Sequence, residues 1–353
     1  MKNQGTIKVL LKLSLLSLPI LLLTAYYVID DPFKVIKSYD TYYRAGCPNY
    51  VGLNRDYVST ETFLRHHDEM KWDSFIFGNS RSIFDEVNDW AAYIDSDRTF
   101  HFDASGESIY GIMCKLRLME RRGTPVRNAL IVMDVATLRE VNNSRGHLFL
   151  KHPLLSGQSW ITFELEYLKT FFSSRFLVVY LDFKLSHKIK PYMIADDIMD
   201  NRHLDYYLQH NEIHYAEYEE LIHSNPDAYY QHREAVFSVR PATLVVTPSI
   251  IHEPQKALLR EISRMLNSQK TNLRIVISPL YDQKKFNPAD LAYLQDLFGE
   301  DRVYDFSGIN DITNDKFNYY EPSHYRPHIA RKIMALIYGT RGLIPKRPNP
   351  QVP

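Results

Sequence analysis

Asp73-Ser74-Phe75-Ile76-Phe77-Gly78-Asn79-Ser80-Arg81-Ser82 is the stretch on which the fold turns. Its first half, Asp73 to Phe77, reads as a short buried strand, since the apolar run is too brief for a helix and stops at a glycine. Its second half is the turn after that strand, so a serine stands where a buried strand runs out. Thr99-Phe100-His101-Phe102-Asp103 reads as a second strand, followed by Ala104-Ser105-Gly106-Glu107-Ser108 and a helix through Met113 and Leu116. Ala129-Leu130-Ile131-Val132-Met133-Asp134 reads as a third. Strands alternating with helices predict βαβ units and a parallel sheet, with functional residues where strands end in loops.

The alternation stops from about Arg139 to about Ala242. That stretch is aromatic and mostly helix-like, and it reads as an insertion or cap. The rhythm then resumes with a helix around Pro254 to Leu266, strand Leu273 to Ser278, a helix around Ala289 to Phe298 and strand Val303 to Phe306. A polar loop carries Asp311, Asp315 and Glu321-Pro322-Ser323-His324. A final helix begins near Pro327, where proline suits a first turn. The Pro-rich end, Ile344 to Pro353, reads as a flexible tail.

The N-terminus is of a different kind. Lys2, Lys8 and Lys12 precede an uncharged run from Leu13 to Ile29, and Asp30-Asp31-Pro32 follows it. The run has the length and composition of a transmembrane anchor, and its flanking charges keep the N-terminus cytoplasmic and the main domain extracytoplasmic. Tyr26 and Tyr27 suit the membrane interface, and no small-x-small cleavage site or lipobox cysteine is evident. The expected organisation is a cytoplasmic segment 1–12, an anchor 13–29, a juxtamembrane segment 30–69, a domain 70–340 with the insertion at about 139–242, and a tail 341–353.

Composition bounds the function. Of 353 residues, 45% are hydrophobic and 24% charged, which suits a folded chain. Lys plus Arg equals Asp plus Glu at 42 each, so no net charge draws the chain to nucleic acid. Cys47 and Cys114 are the only cysteines and have no metal-site spacing, although an extracytoplasmic domain would permit one disulfide between them. His210-Asn211-Glu212-Ile213-His214 lacks the order of a zinc helix. No metal or other cofactor is expected.

A serine becomes a nucleophile when a histidine takes its proton, a carboxylate orients that histidine, and hydrogen-bond donors receive the oxyanion. Ser80 sits where a hydroxyl can be exposed at a strand end. His324 follows Glu321 by three residues, which brings an acid and an imidazole to one pocket.

The two blocks, Phe77-Gly78-Asn79-Ser80-Arg81-Ser82 and Glu321-Pro322-Ser323-His324-Tyr325, resemble those of the SGNH (GDSL-like) hydrolase superfamily. The resemblance spans roughly residues 70–138 and 243–340. It looks closest to cell-envelope members such as alginate O-acetyltransferases and the D-alanyl transfer protein of teichoic-acid alanylation. It implies an α/β flavodoxin-like three-layer sandwich with a central parallel sheet, interrupted here by a helical insertion. It further implies Ser80 as nucleophile, His324 as base and Glu321 as orienting acid, with the Ser80 N–H in the oxyanion hole.

Two departures from the family stand out. Members usually carry Asp where Glu321 stands, which leaves Asp311 or Asp315 as alternative orienting acids. Ser105 or Gly106 answers to the second oxyanion donor. The third block, Gly-x-Asn-Asp, is absent: Asp134 ends the matching strand, and Asn79 is the candidate substitute donor.

The function expected is an extracytoplasmic O-acyl esterase or O-acetyltransferase acting on cell-envelope or exported polysaccharide through an acyl-serine. The alternative is a degenerate SGNH-like binding or scaffold protein partnering a membrane acyltransferase. The bilayer, a glycan and such an acyltransferase are the expected partners.

Overall fold

In the computed structural model, which describes residues 2–44, 46–194, 198–237, 240–241 and 243–339, five short strands form a central sheet. They are β1 (Ser74–Gly78), β2 (Thr99–His101), β3 (Asn128–Met133), β4 (Asn272–Ile277) and β5 (Val303–Asp305). All pair in parallel, in the order β2-β1-β3-β4-β5. The chain leaves β1 toward β2 and then returns across β1 to β3. The carboxyl ends of β1 and β3 therefore flank the crevice where strand order reverses, the usual place for a ligand in an open α/β sheet.

The helices that matter are α1 (Lys2–Asp30), α2 (Arg55–Met70), α3 (Val87–Ile94), α4 (Ile109–Arg122), α5 (Val135–Arg139), α6 (Trp160–Phe171), α7 (Ser174–Ser186), α8 (Glu253–Ser268), α9 (Pro288–Phe298) and α10 (Pro327–Tyr338). Residues of one strand alternate between faces. Phe75, Phe77, Ile131 and Ile275 face a core shared with α2, α4, α8 and α9. Ile76, Leu130, Val132 and Val276 face a second core with α3 and α10. Helices thus cover both faces of the sheet, which accounts for strands that are continuous apolar runs. Pro327 stands in the first turn of α10, as expected.

Residues 30–69 hold more than a linker. α2 begins at Asn54, whose side chain accepts the Tyr57 N–H at 3.1 Å, and it delivers Phe63 to the first core. Its first turn also brings Arg55 and Asp56 inside. Lys151 Nζ lies 2.7 Å from Glu107 Oε1 and 3.3 Å from Asp56 Oδ2. Lys115 pairs with Glu107, lies 3.5 Å from Asp56 and donates to the Phe102 and Asp103 carbonyls. Arg55 closes the lattice through Asp103, at 2.9 Å. Burial alone would push the Asp56 carboxyl up, but Lys151 and Lys115 hold it below the usual carboxylate range. A Cβ on Gly111 would come 2.0 Å from Glu107 Oε1, so only glycine leaves room for this cluster.

The insertion contributes helices, as expected, and also short strands. Asp205–Tyr207 pairs with Glu212–His214, and Met199–Asp200 pairs with Tyr50–Val51. His101 N–H donates to the His210 carbonyl at 2.8 Å, and the Asn211 amide donates to the His101 carbonyl at 2.7 Å. The insertion thereby covers the edge strand β2. The His210–His214 segment serves this packing.

α1 is apolar over Thr6–Asp30, 25 residues, and exposed along most of that length, which is consistent with a signal anchor or a signal sequence. Cys47 is exposed and Cys114 buried, and both are free, so the disulfide that the sequence permitted is not formed. The tail 341–353 lies outside the described residues.

Removing one member of a buried ion pair leaves an uncompensated charge and costs roughly 3–5 kcal/mol. Lys151→Met is therefore expected to lower the urea midpoint markedly. Lys284→Met, which breaks the exposed pair with Asp282, should leave that midpoint nearly unchanged.

Candidate active site

The turn after β1 admits little variation. A Cβ on Gly78 would stand 2.7 Å from Ser82 Cβ and 3.0 Å from the Val132 carbonyl oxygen, so Gly78 lets the chain double back against its own next turn. That next turn is a short 3-10 helix, Ser80–Phe84, capped by Asn79, whose Oδ1 accepts the Arg81 N–H at 3.0 Å. Ser82 Oγ donates to the Asn79 carbonyl at 2.9 Å and meets His101 Nε2 at 3.0 Å. Burial keeps the His101 imidazole below its usual pKa, despite the nearby Asp103 and Glu212 carboxylates, and so favours a neutral ring. Ser80 opens the helix half-buried, with no intrahelical carbonyl ahead of its N–H.

The histidine arrives on a small hairpin. Where a polar loop was expected, β6 (Tyr319–Glu321) pairs antiparallel with β7 (His324–Tyr325) around Pro322-Ser323. Its tyrosines are buried and anchored at their hydroxyls. Tyr319 donates to the Pro279 carbonyl at 3.0 Å, and Tyr325 donates to Asp85 Oδ2 at 2.6 Å. The second bond ties the histidine strand to the end of the Ser80 helix, one residue from where the site itself forms.

There, Ser80 Oγ lies 2.9 Å from His324 Nε2, and His324 Nδ1 is hydrogen-bonded to Glu321 Oε1. A carboxylate at Nδ1 places the imidazole proton on that nitrogen and leaves Nε2 as the acceptor for the serine hydroxyl. Glu321 Oε2 accepts the Ser323 N–H at 3.0 Å. Burial opposes ionisation of Glu321, but the bond from His324, the Ser323 N–H and the Arg81 charge hold its carboxyl below the usual range. Asp315 instead caps a 3-10 turn through the Phe317 N–H at 2.9 Å, and Asp311 is exposed. Of the three acids considered, Glu321 contacts the histidine.

The loop of Ser105 and Gly106 runs beside this turn. Phe102 N–H donates to the Ile76 carbonyl at 2.8 Å and Ala104 N–H to the Gly78 carbonyl at 3.2 Å, so the chain tracks β1 to its end before turning at Ser105-Gly106. Gly106 has φ +59°, which a glycine takes without strain.

Asn79 has another task than the one anticipated. Its Nδ2 donates to Asp134 Oδ2 at 3.0 Å and to Thr137 Oγ1 at 3.2 Å, so both its amide protons are engaged. Asp134 caps α5 through the Ala136 and Thr137 N–H groups and forms an ion pair with Arg81. The carboxylate at the end of β3 is thus neutralised by the residue next to Ser80. Arg81 Nε is buried with no acceptor among the described residues, so the guanidinium keeps a spare donor there. Sequence reasoning passed over Arg81. Its signal was there, as a cation beside Ser80 matched by a lone acid at the third block.

This set can take a proton from Ser80, hold the imidazolium that results, and present N–H donors to an oxygen that gains charge.

Asp85 gives a test through pH. Burial pushes its carboxyl up to about 7, although the Tyr325 hydrogen bond pulls it down. Its unfolded value is about 3.9. Between those values the folded chain holds the proton more tightly, so Asp85 stabilises the fold at low pH and that contribution falls as pH rises from about 4 to about 7. Asp85→Asn should flatten that part of the stability profile, measured as urea midpoint against pH. No family model, no curated protein and no solved structure matches the chain.

Proposed function

We propose that this chain is a membrane-anchored serine O-acyl esterase or O-acetyltransferase of SGNH type, acting outside the cell membrane on envelope or exported polysaccharide. The observation that carries this reading is the contact of Ser80 Oγ with His324 Nε2 at 2.9 Å, with Glu321 on the far side of the ring. The strand order β2-β1-β3-β4-β5 supports it, being the flavodoxin-like order with the site at the switch point. The apolar α1 supports an anchor.

Ser80 Oγ attacks the carbonyl carbon of the acyl ester as its proton passes to His324 Nε2. The carbonyl oxygen becomes an oxyanion facing the Ser80 N–H and a donor from Ser105 or Gly106. Collapse expels the alcohol oxygen, which takes the proton from His324 and leaves acyl-Ser80. A second oxygen nucleophile, water in hydrolysis or a sugar hydroxyl in transfer, then gives its proton to His324 and attacks the acyl carbon. Ser80 leaves with that proton. Glu321 keeps Nε2 aimed at Ser80 and stabilises the imidazolium at each proton transfer. Arg81 offsets the Asp134 charge that would otherwise oppose the oxyanion. In transfer mode, a membrane acyltransferase is the natural supplier of acyl groups.

Turnover of p-nitrophenyl acetate by the full chain tests the reading. Ser80→Ala and His324→Ala are each expected to lower kcat by about 10³-fold or more. Arg81→Met, which leaves Asp134 uncompensated, is expected to lower kcat by roughly 10²-fold with a small change in KM. Undiminished turnover in Ser80→Ala would contradict the proposal, and so would a folded wild-type chain that transfers acyl groups to neither water nor sugars.

A further inference from the structure

The outer flank of α7 (Ser174–Ser186) carries an apolar stripe between charged borders. Its inner side carries the buried Phe176, Val179 and Tyr180. On the other side Val178 and Leu185 are 63% and 83% exposed, with Leu181 between them at helical spacing, an apolar stripe bordered by Arg175, Asp182 and Lys184.

The position of α1 says what meets this stripe. The last turns of α1 pack on α6 and α7: the Tyr27 ring lies 5.1 Å from Phe171 and the Tyr26 ring 6.4 Å from Tyr180. Asp30 Oδ1 lies 2.9 Å from Lys184 Nζ. The uncharged run Leu13 to Ile29, at 1.5 Å per residue, is about 25 Å long, against a hydrocarbon core of about 30 Å. Tyr26 and Tyr27 belong to the outer end of that run, so α7, which packs on them and meets Asp30 and Phe33, lies at the level where the span leaves the hydrocarbon. The Asp30–Lys184 pair marks the polar boundary, and Leu185 is the next residue. Lys188, exposed just beyond, suits the headgroup layer.

We infer that the Val178–Leu181–Leu185 stripe is immersed in the outer leaflet of the membrane that α1 crosses, so that the insertion is held on the bilayer as an interfacial helix beside the anchor. The inference rests on reading α1 as a membrane span. The immersed stripe fixes the orientation of the domain on the membrane, where a span alone would leave it free to swing.

The test uses the full chain in liposomes, in a Cys47→Ser background, with one bimane label at a time on Val178→Cys, Leu185→Cys, Leu16→Cys within α1, or Phe317→Cys, exposed on the 3-10 turn that Asp315 caps. Lipids spin-labelled high on the acyl chain serve as quencher. Labels at 178 and 185 are expected to be quenched about twofold or more beyond the label at 317. Quenching at 16 with 178 and 185 no different from 317 would overturn the docking and leave the anchor standing. Absence of quenching at 16 would overturn the anchor, and the docking with it.

Discussion

Ser80 Oγ and His324 Nε2 meet at 2.9 Å although 244 positions of chain separate them, and much of the molecule bears on that distance. The serine hangs on the carboxyl end of a central strand, in a turn that Gly78 alone allows to close. The histidine comes from a hairpin that would be unstable in isolation. It is fixed by buried tyrosine hydroxyls, one of which reaches Asp85 at the other end of the Ser80 helix. Two bonds between the same two segments set the distance and the direction of approach together. One is the contact on which the proposed chemistry rests, and the other belongs to the scaffold.

A second layer holds that scaffold. The buried charges of Arg55, Asp56, Glu107, Lys115 and Lys151 sit under the loop that carries Ser105 and Gly106. A charged lattice of this kind is a weak source of net stability, because desolvation offsets most of the attraction. It does fix geometry, since each carboxylate and each ammonium has a limited set of acceptable positions. The His101–Ser82 contact has the same character on the other side of the turn. His101 and the clamped Ser82 tie β2 to the Asn79 carbonyl, immediately before Ser80.

The strands of the sheet were legible because burial on both faces makes them continuous apolar runs, and Ser80 and His324 were legible from their neighbours. α2 was not, since its buried face includes Arg55, Asp56, Ser59, Thr60 and Thr62. An apolar period cannot register a face that is buried through ion pairs and hydrogen bonds. The hairpin at Tyr319 to Tyr325 was hidden for a related reason, because its order comes from partners at Pro279 and Asp85, distant in sequence. The Arg81–Asp134 pair joins residues 53 apart. Read singly, Asp134 looks like an obstacle to an oxyanion; read with Arg81 it is a neutralised cap. The short hairpin strands Asp205–Tyr207 and Glu212–His214 owe their place to the β2 edge that their turn covers.

The central claim is that Ser80 is an activated nucleophile, and covalent capture addresses it most directly. The full chain is treated with a fluorophosphonate probe and the labelled peptide is identified by mass spectrometry. Labelling confined to Ser80, and lost in His324→Ala, is the result this account requires. A folded chain that takes no label, or takes it equally well without His324, would contradict it.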